Sequence, residues 1–332
     1  MCPCARLPMQ GGTLDPPETK KDGQDGRGRA VALAGYMHPG YARSLSDFGR
    51  PRWLSHCGGW VLERMIPGSH SRDAMGCYPI FCCNDWRGIP ADLDELSEEL
   101  VSIVLVTDPF GPLGQRELNA VFDRVTAFKE HFVADLTKPI DAIVSKKRFR
   151  SARKALCRLT VEKVEEPTAL VDDWLALHSR MVSKLQLNGM KVLCRPALLR
   201  LFSVPGLVVL RASHEGRTVG MHVELAQGDV VYGHLAAYDE VGYRLGASYA
   251  LHLWEIEHFV GKARWIDWGG VAGLVPNRAD GLAAFKRGFS SETRQVYLCG
   301  KIFDAREYKA LAAKAGCGST SYFPAYRNGE FA

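Results

Sequence analysis

A chain of 332 residues, 46% hydrophobic and 24% charged, has the make-up of an ordinary globular protein and room for one large or two average domains. Its net charge of +5 is mildly basic, compatible with anionic ligands but too weak to point to nucleic acid by itself. No apolar run approaches the roughly 20 residues that span a bilayer, and residues 1–15 lack the apolar stretch of a secretory signal. The expectation is a cytoplasmic protein without a membrane span, with its ten cysteines as reduced thiols.

Residues 1–35 are rich in Gly, Pro, Lys and Asp and offer little to bury against the entropy of ordering, so they read as a disordered tail. From Trp53 the composition becomes globular. Gly59 to Ile66 and Tyr78 to Cys82 look like strands, and Asp92 to Leu100 like a short helix with acids in its first turns. Val101 to Thr107 is apolar and β-branched, which predicts a fully buried strand. Leu118 to Phe132 reads as helical, and Lys138-Pro139 as a boundary.

Beyond it, Ser145 to Arg158 places Phe149, Ala152, Leu156 and Leu159 at helical spacing and fills the other faces with basic residues. Helices over Leu170 to Leu185 and Pro196 to Phe202 follow. Gly206–Ser213, Thr218–Ala226 and Val230–Ala237 are three strands joined by the turns at Glu215-Gly216-Arg217 and Gln227-Gly228-Asp229, which predicts an antiparallel meander. A helix from Gly246 to Val260, a short strand at Trp265 to Trp268, a helix from Gly281 to Arg287, a strand from Thr293 to Phe303 and a helix from Ala305 to Lys314 complete the chain.

The cysteines include no C-x-x-C pair, so a zinc site lacks its usual signature; Cys2-Pro-Cys4 falls in the tail, and no metal is expected. G-x-S-x-G, Walker and dinucleotide motifs are missing from the sequence.

The order β-β-β-α-β-α-β, with Tyr243-Arg-Leu-Gly-Ala-Ser-Tyr-Ala250, Asp267-Trp-Gly-Gly270 and Gly281-Leu-Ala-Ala-Phe-Lys-Arg-Gly-Phe289, resembles the FemAB-like branch of the GNAT acyltransferase superfamily. That branch includes peptidoglycan-bridge aminoacyltransferases. The resemblance spans about residues 140–304 and is fainter over 50–139. It implies an α/β fold, a mixed sheet flanked by helices, with a degenerate GNAT-like subdomain at 50–139 and the acyltransferase domain at 140–332.

The resemblance also assigns roles. Arg244, Leu245, Gly246, Ala247 and Ser248 open a helix, where free backbone N–H groups and the helix dipole favour the pyrophosphate of coenzyme A. Tyr243 stands where GNAT enzymes carry Gln or Arg, a departure from the pattern. Phe285-Lys286 matches a pair in FemAB-like aminoacyltransferases, which implies that Lys286 stabilises the oxyanion of acyl transfer. Proton-handling candidates on the meander and its exit are His222, Glu224, His234, Tyr238 and Asp239, with His222, Glu224 and Ala226 on one face and His234 sharing the other with Tyr232 and Ala236. Arg150, Arg153 and Lys154 of the basic helix, with Glu224 and Asp267, are the substrate-binding candidates.

The expected function is an N-acyltransferase moving an acyl group from acetyl-CoA or another acyl-CoA to a small-molecule, peptide or nucleotide-linked amine by direct attack. The alternatives are an aminoacyl-tRNA-dependent transferase, with tRNA as partner, and a non-catalytic protein that binds RNA or a phospholigand.

Overall fold

The computed structural model describes residues 33–185, 194–271, 281–317 and 320–330. All but the last three residues of the expected tail lie outside them. In chain order the elements are α1 (Pro39–Ser44), β1 (Arg50–Leu54), β2 (Gly59–Met65), β3 (Arg72–Gly76), α2 (Ile89–Ser97), β4 (Ser102–Val106), α3 (Gln115–Asn119) and β5 (Arg124–Asp135). Then follow α4 (Ile140–Ile143), α5 (Lys146–Leu156), β6 (Thr160–Val164), α6 (Val171–Leu185), α7 (Arg195–Phe202), β7 (Leu207–His214), β8 (Arg217–Gln227) and β9 (Val230–Tyr238). The chain continues through α8 (Glu240–Leu245), α9 (Ala247–Phe259), β10 (Trp265–Asp267), α10 (Gly281–Arg287), β11 (Glu292–Ile302) and α11 (Ala305–Lys314).

All eleven strands join one mixed sheet in the order β1-β2-β3-β4-β11-β5-β10-β9-β8-β7-β6. The β3–β4 and β9–β10 pairs are parallel and the rest antiparallel, including the expected β7–β8–β9 meander. Alternation along the meander sends Val209, Met221, Val223 and Leu225 to one face, where α1, α6 and α7 cover them with Tyr41, Trp174 and Leu198. Leu210, Ala212 and Val219 go to the other face, under α5 and α9. Helices on both faces explain why the central strands are apolar on both sides. None of the described helices is long and apolar enough to cross a membrane.

Three sequence expectations are corrected. Residues 118–132 form only the end of α3 and then most of β5, a twelve-residue strand. Val125, Thr126, Phe128, Phe132 and Val133 favour extended backbone, and β5 is paired on both edges, by β11 and β10. Tyr78 to Cys82 is not a strand; its one ladder contact is the bridge of Phe81 to Thr107. The polar β1, containing Pro51, was invisible to a search for apolar alternation because it is an edge strand, where a missing N–H costs little.

After α10 the chain returns to the N-terminal half of the sheet, where β11 lies between β4 and β5. Phe323 covers it: a Cβ on Gly300 would lie 2.4 Å from the Phe323 ring. Arg327, 6% exposed, anchors this closing segment through bonds of 2.6 and 2.8 Å to the fully buried Asp73.

Candidate functional site

Strands β9 and β10 pair only over Val230–Tyr232 and Trp265–Asp267. Beyond that point β9 continues to Tyr238, while the other chain turns away through Gly269, whose φ of +70° suits glycine. Gly233 is the first β9 residue past the fork. A Cβ there would lie 3.1 Å from the Asp267 carbonyl and 3.4 Å from Glu224 Oε2, so glycine lets both groups close on the backbone at the fork.

Charged groups from four elements converge on this fork. Asp267, at the end of β10, is 2% exposed; its Oδ2 is 2.8 Å from His131 Nδ1 of β5 and its Oδ1 accepts from Gly269 N–H at 2.8 Å. Lys286 of α10 donates to the carbonyls of Trp268 and Gly270 at 2.5 and 2.6 Å, which fixes the backbone leaving β10. Burial, then the nearby charges of Glu255 and Asp267, push the Glu224 carboxyl well above the usual range, and Lys286 pulls it back. Burial likewise raises Glu255, on α9.

The two glutamates approach one imidazole: Glu255 Oε1 lies 2.8 Å and Glu224 Oε1 3.7 Å from His222 Nδ1. The other nitrogen of His222 hydrogen-bonds the Tyr238 hydroxyl. Burial holds His222 down to about 3, so it is neutral at pH 7. His252, one turn before Glu255, is buried too. Its Nδ1 is 2.8 Å from the Ser248 carbonyl and its ring is 4.9 Å from that of His222. Ligand atoms of His222, His252 and Glu255 lie within 4.8 Å of one another, close enough to consider a metal, as do those of the more exposed His56, Asp92 and Glu95.

Of the residues picked out by sequence, Lys286, Glu224, Asp267 and Tyr238 therefore meet at or beside the fork. His234 does not. Its ring lies with Tyr232 on the face opposite Glu224, as alternation predicts, 3.2 Å from the Tyr36 hydroxyl and edge-on to Tyr41, and a register shift between Val223 and Glu224 bulges β9 beside it. The same bulge separates Ala236 from His234, since Ala236 pairs with His222 and shares its face. Asp239 caps α8, accepting from Gly242 N–H at 2.7 Å, and its other oxygen bonds Arg217. It lines a pocket of about 310 Å³ with Asp173, Arg180, Arg211 and Arg217, apart from the fork.

Gly246 is a joint as well as a helix start: with φ +80° it ends α8 and opens α9, and its N–H turns back to the Tyr243 carbonyl at 3.2 Å. Ala247 and Ser248 hold the first turn of α9, with Ala247 buried, while Arg244 is exposed and Leu245 half-buried at the end of α8. On α5, Arg150 and Lys154 are exposed, and Arg153 pairs with Glu257 at 2.5 Å. Arg148 reaches inward instead, bonding the Tyr249 hydroxyl at 2.9 Å and lying over the Phe285 ring.

His131, His252 and Glu255 were not found by sequence. His131 fell in the segment misread as helix. His252 and Glu255 lay outside the expected apolar stripe of α9, but that helix is buried on most of its circumference, from Ala250 and Leu251 to Ile256 and Phe259. Two polar residues at i and i+3 inside so apolar a helix were the available signal.

Residues 145–287 match the family model of the acetyltransferase (GNAT) domain. A comparison with curated proteins finds no match. Among solved structures, FemX has a TM-score of 0.64 at 12% identity, covering 82% of this chain and 93% of its own. A C-terminal domain assigned to a lysylphosphatidylglycerol synthetase from Agrobacterium fabrum has a TM-score of 0.60 at 14% identity, covering 83% and 90%. L-PGS from Bacillus licheniformis has a TM-score of 0.56 at 12% identity, covering 83% and 95%. The matched segment, residues 145–287, is thus a GNAT-type domain, and the chain shares its fold with FemX.

Proposed function

We propose that the protein is an N-acyltransferase that moves an acyl group from an acyl-CoA to an amine by direct attack. The fork of β9 and β10 carries this reading: the strands part at Gly233, whose backbone lies against a buried carboxyl, Glu224, with the Lys286 ammonium nearby. The acyl carbonyl enters at the fork, the positive field of Lys286 stabilises the oxyanion, and Glu224 and Asp267 orient the amine. Ala247 and Ser248 supply backbone N–H groups to the pyrophosphate from the first turn of α9, with Arg244 adding charge. Tyr238 completes the polar wall beside His222. His234 and Asp239 take no step in this reading, since one is held by Tyr36 and the other is a helix cap. Residues 50–139 serve as the degenerate first subdomain and 140–332 as the acyltransferase domain, working in the cytoplasm.

An aminoacyl-tRNA donor is the second reading, favoured by the likeness to FemX and to lysylphosphatidylglycerol synthetases and by the exposed Arg150 and Lys154. Calorimetric titration with coenzyme A beside a charged tRNA pool decides between them. Millimolar coenzyme A without heat, together with consumption of aminoacyl-tRNA, would overturn the acyl-CoA choice. Gly246→Leu should abolish coenzyme A binding. Gly246→Asn, which tolerates φ +80°, should keep the fold and weaken binding. An Asn variant that binds like the parent would reduce Gly246 to a helix joint.

A further inference from the structure

A line of protonable groups leads away from the fork beneath α9. Glu224 lies against Gly233 at the fork; Glu255 Oε1 and Glu224 Oε1 both approach His222 Nδ1; His222 Nε2 bonds the Tyr238 hydroxyl. The Tyr238 ring packs 5.3 Å from that of Tyr243, which is 55% exposed. Glu224, Glu255 and His222 are each 2% exposed or less. Two carboxyls buried side by side are costly, and a purely structural pair would have its oxygens satisfied. Here Oε2 of each glutamate has no partner outside the pair among the described residues, the two carboxyls bonding each other instead, and Glu224 Oε2 is the oxygen beside Gly233.

We propose that Glu224, Glu255, His222 and Tyr238 form a proton relay that carries one proton per turnover from an ammonium at the fork to solvent. The proposal rests on the amine-acylation reading and extends it: the acceptor is an alkyl amine that arrives protonated. As the ammonium docks, Glu224 releases its resting proton into the relay, and the carboxylate so formed takes one proton from the ammonium, which becomes nucleophilic. Its nitrogen attacks the acyl carbonyl, the C–N bond forms, the bond to the leaving sulfur breaks, and nitrogen's second proton passes to that sulfur. The released proton passes from Glu224 to Glu255, which hands its own to His222 Nδ1, while His222 releases its Nε2 proton to Tyr238, whose own hydroxyl proton leaves to water. Charge and protons balance: Glu224 ends protonated as it began, and His222, left with its proton on Nδ1, returns to its first tautomer by turning its ring.

The groups facing Glu224 fit this direction of flow. Glu255 from α9 and Asp267 from β10 raise its affinity for a proton, and Lys286 from α10 opposes them. His222 and His252, both held neutral by burial, leave the negative field uncancelled. The relay leaves the fork at the Glu224 end, where only the substrate has access, and reaches the surface at Tyr238 beside the exposed Tyr243.

The test pairs a pH–rate profile with infrared spectroscopy on the full chain. Tyr238→Phe, which keeps the ring, should lower kcat about tenfold at pH 6.5 and recover toward the parent by about pH 10.5, where about half the amine is uncharged. Glu224→Gln should lose about 100-fold at pH 7 and delete the infrared band of a protonated carboxyl that the parent shows. Equal loss at every pH, or none, in Tyr238→Phe would overturn the relay while acyl transfer by the parent upholds the function. If the band is present but no amine is acylated with any donor, the functional reading fails and the relay with it, leaving a proton-sharing pair. One equivalent of zinc in the purified protein, lost in His252→Ala, would make the cluster a metal site and also overturn the relay.

Discussion

Replacing Lys286 with Ala tests whether this side chain shapes the fork as well as charging it. Its ammonium donates to the Trp268 and Gly270 carbonyls at 2.5 and 2.6 Å, on either side of the left-handed Gly269. A hydrogen bond from a charged donor contributes roughly 1.5–3 kcal/mol, but two bonds from one nitrogen on a half-buried side chain share part of that, so the expected loss is about 2–4 kcal/mol. For a chain of this size that corresponds to a Tm lower by roughly 4–10 °C. From sequence, a lysine on a short amphipathic helix should cost little stability; the two carbonyls reverse that expectation. Urea unfolding, followed by tryptophan fluorescence, measures the stability, and single-turnover acylation measures the chemistry. Lys286→Arg retains charge and donors and should recover much of the stability with only part of the rate, since the wider guanidinium moves the charge. An Ala variant within about 0.5 kcal/mol of the parent would refute the tie between α10 and the β10 exit.

Reversing Arg150, Arg153 and Lys154 together should weaken binding of a polyanionic donor or acceptor, with the loss shrinking as salt rises; unchanged affinity at low salt would make α5 a solvated face. Burial depresses His222 to about 3 in the folded state against 6.5 unfolded, so its contribution to stability is present above pH 6.5 and is lost as pH falls toward 3. At about 1.36 kcal/mol per pH unit, the parent should lose up to roughly 3 kcal/mol by pH 4 from this residue, and His222→Gln should flatten that slope in urea titrations. Parallel curves would refute it. The raised Glu224 and Glu255 act in the opposite sense, losing stability as pH rises through their folded values. Arg327→Met strands the buried Asp73, with Arg64 at 3.4 Å as its remaining cation, and should cost about 3 kcal/mol in chemical denaturation; less than 1 kcal/mol would mean the closing segment is not anchored there.

The meander and the helices around it were legible because each follows one local rule. Turns at Gly216 and Gly228 punctuate the strands, and α5 shows a clean apolar stripe through Ala152 and Ala155. Segment 118–132 was not, because β5 owes its form to neighbours on both edges that come from distant parts of the chain. At the site, Glu224, Asp267 and Lys286 were found through strand alternation and motif resemblance. His234 kept its expected face with Tyr232, but the bulged residue moved Ala236 to the face of His222, an exchange that leaves no mark in the composition. Asp239 looked like a proton acceptor, yet an Asp standing alone between a strand's last residue and a helix's first is also what an N-cap requires, and that is its place.

The position of β11 bears on how the molecule is made. Residues 292–302 fill a slot between strands β4 and β5, which are synthesised some 160 residues earlier or more. During translation the N-terminal half therefore waits with two unpaired strand edges facing each other, each a template for pairing with another chain. A fragment cut after residue 291 keeps every group at the β9–β10 fork in sequence but leaves that slot empty. Such a fragment should aggregate, and a synthetic peptide of residues 288–305 added during refolding should rescue it by taking the vacant place.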